Sequence, residues 1–128
     1  MDIDSKAKAM SKASTNRLKP DALAAYHDLS LKKAGCDGLI LTTDGTSISL
    51  ESKVKLDEKP LDKWLGIAPR FVVLEVKGKL VLIHWKPDGA KAMETMKYNS
   101  VKGALEQELG NLKSVLIVDV EKLLELVA

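Results

Sequence analysis

Residues 80–105 read LVLIHWKPDGAKAMETMKYNSVKGAL, and the division of this stretch decides the fold. Leu80 to Trp85 is a near-continuous apolar run, the pattern of a strand covered on both faces. Pro87 cannot donate to a ladder, and Asp88-Gly89 are turn residues, so the strand stops there. The period then changes: Tyr98, Val101 and Leu105, continued by Leu109 and Leu112, recur at helical spacing and form the inner face of a long helix. Val115 to Val118 gives one more buried strand, and Val120 to Val127 a terminal helix. A strand, a helix and a second strand in that order make a parallel crossover unit, expected to be right-handed.

Working upstream, Phe71 to Val76 is the second central strand, and Lys77-Gly78 is short enough for a two-residue hairpin turn. Leu39 to Thr43 and Thr46 to Glu51 flank Asp44-Gly45, the signal of a tight type I′ hairpin. Ile48 and Leu50 alternate with Ser47 and Ser49, which predicts a strand with one wet face. Pro20 suits the first turn of a helix and Asp21 complements its N-terminus. Leu23, Tyr26 and Ser30, with Ala22, Ala25 and Leu29 beside them, carry that helix to about Lys33. Leu61, Trp64 and Leu65 predict a short helix after Pro60, ended by Gly66 and anchored by Trp64. The sum is a single α/β (α+β mixed) domain: a five-stranded mixed sheet with helices on both faces. Residues 1 to about 18 hold little apolar content and read as a mobile arm.

Composition agrees. With 128 residues, 45% of them hydrophobic, the chain suits one compact domain with a real core. Its net charge of +2 is spread along the sequence, without the basic stripe and interleaved aromatics of a nucleic-acid binder. The single cysteine, Cys36, cannot form an internal disulfide, and no long apolar run marks a membrane span, so the expected address is cytoplasmic.

Catalytic patterns are missing from the sequence: it has no Gly-rich phosphate loop, no paired-cysteine metal spacing, no nucleophile elbow and no His-Glu-x-x-His. His84 lies inside an apolar strand and His27 on a helix surface, so a thiol-histidine dyad with Cys36 is not expected. The reading is a non-enzymatic protein without metal or cofactor. Met93 and Met96 precede the apolar stripe of their helix, and an exposed methionine pair is an adaptable binding surface.

The Trp85-x-Pro87 strand end, followed by a helix carrying Met96-x-Tyr98-x-Ser100-x-Lys102, resembles the actin-depolymerising factor/cofilin family. In that family the helix opens with Lys-x-Lys-Met-x-Tyr-x-Ser-x-Lys and docks on actin; here Met93 and Thr95 stand at the two basic positions. The likeness continues through Asp21 to Leu29, which is similar to the family's first helix, and places Ala13-Ser14 on its N-terminal Ala-Ser. The resemblance thus implies a flexible arm over residues 1–13 and an actin-depolymerising-factor-homology domain over 14–128. It implies actin contacts at Ser14, Thr15, Lys91, Met93, Thr95, Met96, Lys97, Ser100 and Lys102, with Ser14 as the candidate phosphorylation site, where added charge would repel an acidic actin surface.

The short Lys77-Gly78 turn resembles that of apicomplexan-type members and lacks the projecting basic hairpin that grips a second subunit along a filament. The resemblance therefore implies a monomeric protein that prefers actin monomers, drives filament turnover or depolymerisation, and binds or severs filaments weakly. Ala68 to Val73, APRFVV, is similar to glia maturation factor relatives, which implies an actin-related protein complex as the alternative partner. An adaptor that has lost actin binding is the other alternative. The dispersed lysines of the arm imply at most weak phosphoinositide attraction.

Overall fold

The computed structural model describes residues 17–31, 35–110 and 112–127. Along them run α1 (Pro20–Ser30), β1 (Gly38–Thr43), β2 (Ile48–Val54), α2 (Leu61–Trp64), β3 (Arg70–Val76), β4 (Lys79–Trp85), α3 (Ala92–Glu108), β5 (Lys113–Ile117) and α4 (Val120–Val127). The strands form one sheet in the order β2-β1-β3-β4-β5. Its ladders are antiparallel except β4–β5, which is parallel because α3 carries the chain back across the sheet.

Side-chain alternation along the central strands feeds two cores. Leu39, Leu41, Phe71, Val73 and Leu82 meet α1 and α3 on one face, while Ile40, Val72, Leu74, Val81 and Ile83 meet α2 and α4 on the other. Both faces of β1, β3 and β4 are therefore dry, which is why these strands read as continuous apolar runs. Lys77 and Gly78 take φ of 52° and 83°, the two positive values that a type I′ turn requires between β3 and β4.

Several local expectations are corrected. The β1–β2 connection is a four-residue loop, Asp44 to Ser47, since Thr43 pairs with Ile48. Only Gly45 has positive φ there, and Asp44 Oδ1 accepts from the N–H groups of Thr46 and Ser47 at 2.8 and 2.9 Å. That side-chain turn replaces the expected type I′ geometry. The alternation predicted for β2 holds only as far as Leu50. Ile40 pairs with Ser52 but Leu41 with Leu50, so Glu51 is the extra residue of a bulge. Ile48 consequently packs toward α1 and α3, whereas Val54, of the same parity, is buried in the opposite core.

Helix α1 stops at Ser30, short of Lys33, with the Leu31 N–H turned back on His27 and Leu29 carbonyls. Leu61, fully buried, anchors α2; Trp64 is half-buried, with Lys59 Nζ 4.2 Å from its ring centroid. Strand β5 is half-buried rather than buried, because it forms the edge of the sheet and Leu116 points outward.

The backbone leaves little room at Gly38, in the middle of three paired strands. A Cβ there would lie 2.5 Å from the Val73 carbonyl oxygen, whereas one at Gly66 would meet nothing. Gly38→Ala is expected to cost about 2–3 kcal/mol through forced strand displacement, and Gly66→Ala to stay within about 0.5 kcal/mol. Urea denaturation of the two variants checks the contrast.

Candidate functional site

The rotation of α3 about its axis determines which of its residues can meet a partner. Tyr98 fixes that rotation. Its ring is buried against Phe71 at a centroid distance of 5.1 Å and lies 6.4 Å from His84. Its hydroxyl accepts from the Thr43 backbone N–H at 3.3 Å and from Arg70 Nη1 at 3.4 Å. Arg70 is itself held by Glu51, whose carboxylate lies 3.0 Å from Nε and raises the guanidinium pKa further. Val101, Leu105 and Leu109 continue the inward stripe begun by Tyr98.

With that face inward, Met93 and Met96 are 74% and 67% exposed. Ser100, one turn beyond Met96, is also exposed, and its hydroxyl donates to the Lys97 carbonyl at 2.8 Å. Lys97 is half-buried because the β1–β2 loop lies against its stem: a Cβ on Gly45 would sit 3.4 Å from Lys97 Cγ. Its ammonium pairs with Glu94 at 3.4 Å, an exposed pair of small energetic weight. The structure therefore brings Met93, Met96, Lys97 and Ser100 into one surface.

The remaining sequence-derived residues divide differently. Lys91 is exposed and occupies the N-cap position of α3, without a side-chain capping bond. Thr95 turns inward and is only 9% exposed, so its contact area is small. Lys102 is half-buried, and at roughly 100° per residue it stands about 240° around the helix from Met96, on the flank facing β4. Ser14 and Thr15 lie outside the described residues.

The described chain begins at Arg17, beside β2. Leu18 bridges Ile48 on the outer edge of β2, with Lys19 N donating to Ile48 O at 2.8 Å and Ile48 N to Arg17 O at 2.7 Å. The N–H groups of Arg17 and Leu18 both donate to the Glu108 carboxylate, the latter at 3.2 Å. Glu108 is three turns beyond Lys97 on nearly the same helical line, so residue 17 enters on the Lys97 flank of α3.

One contributor was missed in the sequence. Ile67, 85% exposed, lines a groove of about 390 Å³ with Pro69, Arg70, Ala90, Lys91 and Glu94 at the start of α3. A lone isoleucine between Gly66 and Pro69 in a loop is its only sequence signal.

Neither candidate for thiol or imidazole chemistry is arranged for it. Burial pushes the Cys36 thiol pKa up, away from a reactive thiolate. His84 is 1% exposed, packed 5.2 Å from Phe71, with Nε2 unpartnered among the described residues. Strand β3 and three residues of register separate it from the Cys36 end of the sheet.

With the fold and surface in place, the chain can be set beside known proteins. The pattern of the family described as cofilin/tropomyosin-type actin-binding protein matches residues 15–126. The chain belongs to this family. No curated protein matches its sequence. Among solved structures, Streptomyces griseoflavus cofilin superposes with a TM-score of 0.72 at 24% identity, over 83% of this chain and 88% of that one. The actin-depolymerising factor of Toxoplasma gondii gives 0.67 at 23% identity, over 87% and 96%. Caenorhabditis elegans glia maturation factor gives 0.67 at 18% identity, over 86% and 93%. These likenesses establish the five-stranded cofilin-type fold. The match begins at residue 15 and so reaches the segment that Glu108 holds. Among the described residues no helix is long and apolar enough to cross a membrane.

His84 makes this fold acid-sensitive. Burial, reinforced by the charges of Lys102 and Lys86, lowers its pKa to about 4. The unfolded chain, with an ordinary histidine, binds the proton first as pH falls. Stability should therefore be complete above about pH 6.5 and decline between about 6.5 and 4, by about 3 kcal/mol in all. His84→Phe should remove that part of the slope, leaving carboxylate protonation below it. Urea midpoints of both proteins from pH 4 to 7.5 are the check.

Proposed function

We propose that this cofilin-family protein binds the actin monomer through the outer face of α3, with Met93, Met96, Lys97 and Ser100 at the centre of contact. It then acts in the cytoplasm on the turnover and depolymerisation of actin filaments. The observation that carries the reading is the exposed methionine pair on a helix whose rotation is locked from beneath. Two flexible thioethers projecting from a rigid support make an adaptable apolar contact. Lys97 adds a cation at its border, Lys91 another at the helix start, and Ile67 extends the apolar area.

In this reading the arm, which lies outside the described residues, shares the partner. Because Glu108 fixes residues 17 and 18 on the Lys97 flank, Ser14 and Thr15 lie within about 10 Å of Arg17 along the chain, close enough to share the partner. A phosphate on Ser14 would set negative charge against an acidic surface and weaken the complex. Thr95 acts through packing, and Lys102 touches only a partner that wraps the far flank.

Filament binding is the weaker activity. Side chains at the two-residue Lys77-Gly78 turn have little reach toward a second subunit, and Glu121 and Glu125 on α4 offset Lys122.

Titration into fluorescently labelled actin monomers at low salt tests the assignment. Met93→Ala and Met96→Ala should each weaken binding about 5- to 10-fold, the loss expected of central apolar contacts. Lys102→Ala should change it less than about 3-fold, as a flanking charge. A larger effect at Lys102 than at the two methionines would overturn the face proposed. Absence of any complex up to about 50 µM, an affinity well short of specific recognition, would give the fold to an actin-related complex or an adaptor role.

A further inference from the structure

The sheet ends at β5, whose outer edge pairs with no strand among the described residues. Of the eight large hydrophobics exposed among the described residues, four lie in the short run from Leu116 to Leu124, with Leu116 itself 56% exposed. Leu116 and Val118 border a groove of about 470 Å³ between β5 and α4, whose wall includes Val115, Ile117 and Leu126. A bare apolar strand edge is a template for another strand, and folded proteins ordinarily cover or charge it.

The backbone shows how the edge is presented. Ile117 O accepts from Lys86 N at 2.9 Å, so the polar groups of Ile117, and by alternation those of Lys113 and Val115, face β4. The N–H and C=O groups of Ser114 and Leu116 therefore point outward, away from the sheet. The sequence on this edge, Lys113-Ser-Val-Leu-Ile-Val-Asp119, is symmetric in character about Leu116. A cation stands three residues before it and an anion three residues after, with β-branched Val115 and Ile117 on either side.

We propose that β5 pairs with β5 of a second copy of this chain, antiparallel about a two-fold axis through Leu116. In that register the outward groups of Leu116 exchange two hydrogen bonds with those of Leu116 in the second copy. Val115 meets Ile117 twice, and Lys113 meets Asp119 twice. Asp119 keeps its own task, capping α4 through Oδ1 to the Lys122 N–H at 2.8 Å. An isologous pairing of this kind is closed, so it ends the edge instead of propagating it. Charge complementarity selects this occupant: any register shifted by a few residues loses both Lys113–Asp119 pairs. Residues 1–16 are a poorer occupant, because they join the chain at the β2 edge, the opposite end of the sheet, and hold Ile3 as their one β-branched aliphatic residue. The contact leaves the methionine face of α3 open, and its small size makes it weak. The monomer that the family resemblance implies is then the dilute form.

Sedimentation equilibrium of the full chain across roughly 5–500 µM, the range of weak association, should show the mass rise toward that of a dimer. Leu116→Lys, a change at an exposed position that circular dichroism should show to be folded, should stay monomeric throughout. Lys113→Glu should weaken the dimer about tenfold, more at low salt. Leu116→Cys in a Cys36→Ser background should form a disulfide-linked dimer under mild oxidation, since hydrogen-bonded antiparallel partners sit about 5.5 Å apart at Cα. A wild-type protein that remains monomeric to the highest concentration overturns the proposal. So does a dimer indifferent to Leu116→Lys, or one lost only on removal of residues 1–16.

Discussion

The Tyr98 side chain is the constraint on which the rest of this surface depends. A helix lying on a sheet can satisfy its apolar stripe over a range of rotations, because hydrophobic contact is not directional. The Tyr98 hydroxyl removes that freedom: buried, it must be satisfied, and its donors are the Thr43 N–H on β1 and the Arg70 guanidinium on β3. Two strands thus hold one point of α3, and the outward direction of Met93 and Met96 follows. The Glu51 bulge belongs to the same device, since it turns Glu51 outward on β2, where its carboxylate holds Arg70.

In the proposed mode of binding, the departures from the family pattern would change the character of the contact more than its position. Two cations at residues 93 and 95 would offer paired, hydrogen-bonded charge. Met93 instead offers apolar area, and Thr95 is withdrawn beneath the surface. Contact of that kind depends on shape and desolvation, is less sensitive to salt, and tolerates variation in the partner. In the proposed mode of binding, the two-residue turn between β3 and β4 adds little reach, so α3 carries most of the contact.

Much of the fold was legible because it rests on periodicity. The runs at Phe71–Val76 and Leu80–Trp85 and the helical spacing of Tyr98, Val101 and Leu105 each state their own element. The Lys77-Gly78 turn follows from the positive φ that glycine favours. What escaped the sequence depends on partners across the sheet. The register slip at Glu51 exists only in the pairing of β1 with β2, and the Asp44 loop only because its carboxylate finds two N–H groups. The full burial of His84 requires Phe71 and Tyr98 to close over it. In the site, the family pattern groups Thr95 and Lys102 with Met96 as one string of letters. Helical geometry divides them, because six residues do not return to the same face. Ile67 was hidden for the opposite reason: loop residues carry no period, so exposure there has no signature.

Selective observation of the methionine methyl groups reports whether the outer face of α3 meets actin, as proposed. The chain has four methionines, Met1 and Met10 in the N-terminal segment and Met93 and Met96 on α3. With their methyl groups 13C-labelled and unlabelled actin monomer added, the Met93 and Met96 resonances should shift or broaden together at substoichiometric actin. A complex that forms while both resonances stay unchanged would contradict the proposal, and would place the contact on another face of the fold.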